Sequence, residues 1–290
     1  MAEATITIAS STDAITMTGS DIGAGFIYDN ESLSAWFALP DIDVRLNKRP
    51  NAHGTYTPDR LFANEHRIPM SGSYFGASAL AAAIARNRLS AMFNDGTPVS
   101  ITVTDDLGPT ARIGFLVAFD PEWMHDGHFR WALEFAAPDP RRYGTAVAAS
   151  TALATASSGL VWPLGSGSSF WDWGTAGTTG RIAFTNTGNT TTYPLLTVGA
   201  GGQLPNGFEV VEVNTGRTIT YAGPAGDGGL VVLNSRTQRA TVNGGDTTDY
   251  LTRAEWFAVP KGATYEYQFI SLGGQTGAPT LANLAAPAYM

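Results

Sequence analysis

His125-Asp126-Gly127-His128 places two imidazoles three residues apart, which is half of a metal site. The Asp-Gly between them is a turn signal, so the pair is expected at a solvated hairpin tip. That is not the helix turn that brings such ligands together, and no third ligand suggests itself nearby. Gly76-Ala77-Ser78-Ala79-Leu80 approaches a nucleophile elbow, but the final small glycine is missing and no strand obviously precedes it; Ser78 reads as a helix N-cap. Asp105-Asp106, and Asp41 with Asp43, could hold a cation or serve as acid and base. Neighbours in a strand point to opposite faces, however, and VRLNKR directly after Asp43 supplies countercharges, so structural roles are expected. Lys261 in Val259-Pro260-Lys261-Gly262 lacks the glycines of a phosphate loop, and Gly199-Ala200-Gly201-Gly202 runs into Gln203-Leu204 instead of a helix start. The chain has no cysteine, which excludes disulfides, thiolate metal sites and thiolate nucleophiles. No catalytic residue, metal site or cofactor is expected.

What remains are candidate contact residues. Trp162, Trp171 and Trp173 stand in an Ala-, Ser-, Thr- and Gly-rich stretch between Tyr143 and Gly180. They could form a carbohydrate platform, but large aromatics chiefly fill cores and interfaces, so the preferred reading is that they anchor this stretch. His53, Arg60 and His66 lie in the long irregular segment NAHGTYTPDRLFANEHR, a candidate for subunit contacts. Arg141, Arg142 and Tyr143 stand where the first domain is expected to end, and suit either an interface or the fixing of the interdomain angle.

The elements that must position these residues are mostly strands. HFRWALEFAA puts Phe129, Trp131, Leu133 and Phe135 on one face, and ARIGFLVAF upstream puts Ile113, Phe115, Val117 and Phe119 on one face. With Asp126-Gly127 between them they predict an antiparallel pair. TITIA, AITMT and VSITVT are further strand candidates. One helix is predicted within Gly76 to Asp95; Leu80 and Ile84 lie opposite Leu89 and Phe93, so it is expected to be covered on more than one side. After Gly180 the predicted strands are RIAFTN, YPLLTV, FEVVEV, RTITYA, GLVVLN, RATVNG, EWFAVP and TYEYQFISL, with a hairpin at Asn214-Thr215-Gly216. In YPLLTV, Leu195, Leu196 and Val198 supply a buried burst that Gly199 to Gly202 are expected to end. The fold class is therefore mainly β: two antiparallel β-sandwich domains, residues 1–145 with one α-helix and residues 181–290, joined by a Trp-containing connecting segment at 146–180.

Composition agrees with a folded chain that does not grip nucleic acid. Of 290 residues, 43% are hydrophobic and only 14% charged, and the net charge of -8 leaves no basic excess for phosphates. No signal peptide or membrane span is indicated.

Three stretches also carry a family resemblance. Val44 to Gly76 combines an Arg- and Pro-containing segment, a His-Gly, a basic residue before a strand, and a Gly-x-x-x-Gly approach to the helix. Ala137-Pro138-Asp139-Pro140-Arg141-Arg142-Tyr143-Gly144 is an Asp-Pro segment closing the first domain. TNTGNTTTYPLLTVGAGG, from Thr185 to Gly202, is followed by LVVLNSRTQRATVNGGDTTDYLTRAEWFAVPKGATYEYQF, with its Asn-Gly turn and its Trp and Pro-x-Gly before the last aromatic strand. In this order they resemble the distal tail proteins of long-tailed, non-contractile bacteriophages, the siphophages, also called minor tail proteins. One position departs from the pattern: Asn234 stands where the strand often ends in Asp. The resemblance implies a tail-tube-like N-terminal sandwich and a galectin-like C-terminal one. It also implies a structural, non-enzymatic hexameric ring in the virion at the tail tip or baseplate, with the tail tube protein, the tail-tip hub (tail-associated) protein and receptor-binding proteins as partners. DNA passes through such a ring without specific binding. The alternative function is a carbohydrate-binding or host-recognition module.

Overall fold

The computed structural model describes residues 4–19, 25–44, 46–59, 61–93, 96–155, 177–226 and 228–290. The chain divides into two units, Met1–Thr145 with Tyr289–Met290, and Ala146–Ala288. Mainly β structure is found in both; among the described residues the α-helices lie in the first, and the second has one 3-10 turn at Thr248–Tyr250.

The first unit runs through β1 (Thr5–Ala9), β2 (Ala14–Thr18), β3 (Gly25–Tyr28), α1 (Asn30–Phe37), β4 (Ile42–Asp43), β5 (Phe62–Ala63), β6 (His66–Phe75), α2 (Ala79–Ala91), β7 (Val99–Asp105), β8 (Gly108–His125), β9 (His128–Ala137) and β10 (Arg142–Tyr143). Its layers belong to one sheet whose ends meet. The order β8-β7-β1-β2-β3-β6-β9 is closed by a second pairing of β8 with β9. Closure is possible because β8 is 18 residues long. Its first part pairs with β7 from Gly108 to Gly114, and the rest pairs with β9 from Phe115 to His125. The interior is filled by alternate residues of each strand, as a pleat requires: Ile6 and Ile8, Ile15 and Met17, Val99, Ile101 and Val103, and Phe129, Trp131, Leu133 and Phe135.

The β8–β9 hairpin turns at Asp126-Gly127 as predicted, but the faces of β8 differ from expectation. Ile113, Phe115 and Val117 are exposed, while Arg112 and Gly114 are buried. A register shift between Leu116 and Ala118 then brings Phe119 inward, so Leu116 and Phe119 both pack on the core. A bulge of this kind switches the side-chain parity of a strand, which no strict two-residue period can show.

Ser78 caps α2 as predicted, its hydroxyl accepting from the Ala81 amide at 3.2 Å. The helix buries Ala82, Ala85 and Leu89, but Leu80 is 71% and Ile84 59% exposed. Among the described residues, α2 is thus covered on one side only. A second helix, α1, was not anticipated. Its eight residues bury Ser32 and Trp36. The Ser32 hydroxyl donates to the Ser71 carbonyl and accepts from the Ser71 amide, both at 3.0 Å, which ties α1 to β6.

The second unit contains β11 (Val147–Ala152), β12 (Arg181–Thr185), β13 (Leu195–Gln203), β14 (Phe208–Glu212), β15 (Thr218–Tyr221), β16 (Val231–Asn234), β17 (Arg239–Val242), β18 (Gly245–Asp246), β19 (Leu251–Ala254), β20 (Thr264–Ser271) and β21 (Thr276–Ala285). Two sheets, β11-β21-β13-β16-β17-β18 and β12-β20-β14-β15-β19, share one core. Leu196, Val198, Leu233 and Leu281 come from the first, and Phe208, Val210, Ile219 and Phe269 from the second, giving a β-sandwich.

Three details depart from the sequence reading. Residues 147–152, at the start of the presumed connector, are strand β11 paired with β21. Glu255–Pro260 is no named strand, although Phe257 and Val259 are buried and Val259 bridges to Thr192. The glycines after Val198 do not end β13, which continues to Gln203 through two register shifts. They are there for close approach: a Cβ on Gly202 would meet the Thr276 carbonyl at 2.4 Å. The predicted turn at Gly216 is present, with φ of 71°. Asn234, the departure from the family pattern, caps its own turn by accepting from the Arg236 and Thr237 amides at 3.0 and 3.2 Å.

Candidate functional site: a buried arginine cluster and exposed apolar segments

At the last turn of α1 the backbone carbonyls have no helical partners and carry the negative end of the helix dipole. Arg112 answers both needs from inside the barrel. It donates through Nη1 to the Trp36 carbonyl at 2.6 Å and through Nε to the Pro140 carbonyl at 3.0 Å. Its guanidinium also lies 4.7 Å from the Trp36 ring centroid. Arg112 is only 1% exposed, and burial, reinforced by Arg142, pushes its pKa down to about 9; it is still charged at neutral pH.

The neighbouring residues of the Asp-Pro segment are also engaged within the first unit. Asp139 accepts from the Arg141 backbone amide at 3.1 Å and side chain at 3.3 Å, and from the Tyr143 hydroxyl at 2.8 Å. Arg142 lies 4.8 Å over the Phe37 ring and donates to the Met290 carbonyl at 3.0 Å. His66 is buried at the start of β6, its Nε2 3.0 Å from the Ala35 carbonyl, so that nitrogen must carry the proton. Arg141, Arg142, Tyr143 and His66, singled out from the sequence, therefore belong to one neighbourhood with Arg112, whose charge reaches His66. Sequence reading missed Arg112. Its only signal was a lone Arg in an apolar strand, which normally marks an outward position. His53 is exposed on the segment between β4 and β5. Arg60, Trp162, Trp171 and Trp173 lie outside the described residues.

Burial, and then the Arg112 charge, hold the His66 pKa below its ordinary 6.5. The unfolded chain therefore takes up this proton first as pH falls. The stability that goes with the neutral ring is complete above the ordinary value and lost as pH drops through the folded one. Thermal unfolding should show the first unit weakening from pH 7.5 towards pH 5.5. His66→Gln, which can still donate to Ala35, should flatten that dependence; an unchanged slope would remove His66 as its source.

The hairpin tip lies where the sequence places it. In register across the turn, His125 and His128 lie side by side, His128 Nδ1 3.2 Å from His125 Nε2, with Phe75 stacked on His128 at 4.3 Å. Antiparallel pairing brings the two imidazoles together, where they hydrogen-bond to each other. No group of three metal-binding side chains occurs among the described residues.

Large apolar side chains are exposed elsewhere on the first unit. The segment from α1 to β6 carries Leu39 (72% exposed), Ile42, Val44, Leu46, Tyr56 and Phe62 (62%). Together with Leu80 and Ile84 of α2 and the outer face of β8, this is more apolar surface than scattered single residues. No helix among the described residues is long and apolar enough to cross a membrane.

No family model matches the chain, and no curated protein matches it. Solved structures do. The fold is shared with phage hub and baseplate proteins. The SPP1 Dit (gp 19.1) protein, a paradigm of hub adsorption apparatus in Gram-positive-infecting phages, aligns with a TM-score of 0.54 at 15% identity, over 89% of this chain and 97% of its own. A chain of the phage P2 baseplate in its activated conformation with Ca aligns with a TM-score of 0.52 at 10% identity, over 97% of both chains. The same baseplate with Sr gives 0.52 at 10% identity, over 96% and 97%. The hub fold thus extends over both units of this chain and is not confined to either sandwich.

Proposed function

We propose that this chain is a structural virion protein of a phage tail tip, forming a hexameric ring at the distal end of a long non-contractile tail and joining the tail tube to the tail-tip hub. The observation that carries this reading is the nearly full-length likeness to hub and baseplate chains. The exposed apolar segment between α1 and β6 and the open face of α2 support it, because a ring buries such surface between copies and against neighbouring proteins. Receptor-binding proteins are further partners on this reading, and the DNA passes the ring without specific contacts.

Native mass spectrometry tests it. The expected species is six times the 30.5 kDa chain, formed alone or on mixing with tail-tube and hub proteins. A monomer that binds neither partner overturns the proposal. Replacing Leu39 and Phe62 by Asp puts charge where apolar surface would be buried and should abolish the ring while leaving the monomer folded. A ring that persists in this variant takes the segment out of the interface.

A further inference from the structure

The second unit carries an open cleft of about 600 Å³, lined by Thr215, Arg217, Gln238, Arg253, Glu255 and Trp256. That volume lies within the roughly 300–1,000 Å³ of small-ligand sites. Three connections meet there: the β14–β15 hairpin, the β16–β17 turn and the residues following β19.

Much of its wall is held in place before any ligand arrives. The wholly buried Glu212 carboxylate accepts from the Asn214 and Thr215 amides at 3.0 and 2.6 Å, and from the Thr215 hydroxyl, which fixes the hairpin. Glu255 accepts from the Thr218 amide at 2.8 Å and from Arg253 at 3.0 Å through both oxygens. Gln238 stands at the end of its turn with φ of 57°, a conformation uncommon outside glycine and asparagine.

Charge and chemistry define what fits. Glu255 is taken up by Arg253 and the Thr218 amide, and the buried Glu212 by the hairpin amides, so Arg217 is the cleft cation not held by a carboxylate hydrogen bond. The Arg217 side chain makes one long hydrogen bond, 3.4 Å from Nη1 to the Trp256 carbonyl, so most of its five N–H donors remain available. A guanidinium fork matches a carboxylate or a phosphate, and an indole matches the apolar face of a pyranose. Gln238 and Thr215 add neutral donors and acceptors for hydroxyls. We propose that this cleft binds an acidic glycan, a sugar bearing a carboxylate or phosphate, with Arg217 on the anion and Trp256 against the ring. Trp256 thereby takes the part that the sequence alone had offered to Trp162, Trp171 and Trp173.

Isothermal titration of the full chain with trigalacturonic acid, glucose 6-phosphate and maltotriose tests the proposal. Saturable binding of at least one anionic probe is expected, weakening as salt is raised. Whichever of the two binds names the anion. Arg217→Ala should reduce that affinity about tenfold or more without moving the thermal midpoint, since this side chain is exposed, and Arg217→Lys should restore part of it. Absence of saturable heat with both anionic probes overturns the site, as does equal affinity for maltotriose or an unchanged affinity in Arg217→Ala. Ring formation measured by mass is independent of every one of these outcomes.

Discussion

Asn186→Ala is expected to destabilise the second unit by about 3–5 kcal/mol, the largest effect of any single polar substitution there. The Asn186 side chain is completely buried at the end of β12. Its Nδ2 donates to the carbonyls of Thr190, Val259 and Pro260 at 2.7, 3.0 and 3.2 Å. Its Oδ1 accepts from the amides of Gly188 and Ala288 at 3.1 and 3.3 Å. Carbonyls on one side and amides on the other fix the amide orientation without ambiguity. Alanine leaves these groups buried, each costing about 1–3 kcal/mol if left without water, and the losses are not fully additive. Asn186→Asp should be at least as damaging, because it turns an oxygen towards the three carbonyls. The loop cannot relax around either change: a Cβ on Gly188 would meet the Ala288 carbonyl at 1.9 Å. Calorimetry of the full chain checks this, and a loss below about 1 kcal/mol would mean that water replaces the amide.

Arg112→Ala should weaken the first unit by a similar amount, about 3–4 kcal/mol. The alternative view is that a buried cation without a bonded carboxylate is a liability whose removal helps. Geometry decides between them. Arg112 serves the Trp36 and Pro140 carbonyls and packs on the Trp36 ring, and these acceptors stay buried when it goes. Arg112→Met separates the two contributions. It keeps most of the stem and the ring contact, so any loss it shares with Ala reports the hydrogen bonds. Stability equal to or above that of the parent would mean the desolvation cost dominates. Arg112→Lys should fall between, since an ammonium cannot span both carbonyls as the fork does.

These two residues also show what was legible in the sequence. Local signals carried well: Ser78 and the Ala-rich run gave α2, Asp126-Gly127 gave the β8–β9 turn, and Asn214-Thr215-Gly216 gave the β14–β15 hairpin. Asn186 stood in the polar run TNTGNTTT without marking itself as a hub, because its partners Val259, Pro260 and Ala288 are 73, 74 and 102 positions away. Arg112 was hidden because the large apolar residues Ile113, Phe115 and Val117 lie on the outward face of β8, leaving Arg112 and Gly114 on the inward one. The helix α1 escaped notice because eight residues hold barely two turns of periodicity and its stability comes from Ser71 and Arg112, both distant in sequence. Strand β21 was obscured by Gly277 and Pro279, although its second half alternates cleanly. Of the candidate contact residues, Arg141, Arg142, Tyr143 and His66 were named, but their partners Asp139, Phe37 and Ala35 required the fold.

The second pairing of β8 has a consequence for how the first unit can meet other proteins. Closure uses up most of the main-chain ladder, but Phe115–His125 of β8 pairs only with β9 among the described residues, and β10, attached outside the closed order, is two residues long. On the closed sheet, an added strand has its long open ladder along that stretch of β8. Around the rest of the closed sheet, recognition is by side-chain surfaces, whose specificity is tunable one residue at a time. The second unit offers rims of its own, since β11 and β12 end its two sheets with six and five residues, each a place for main-chain docking.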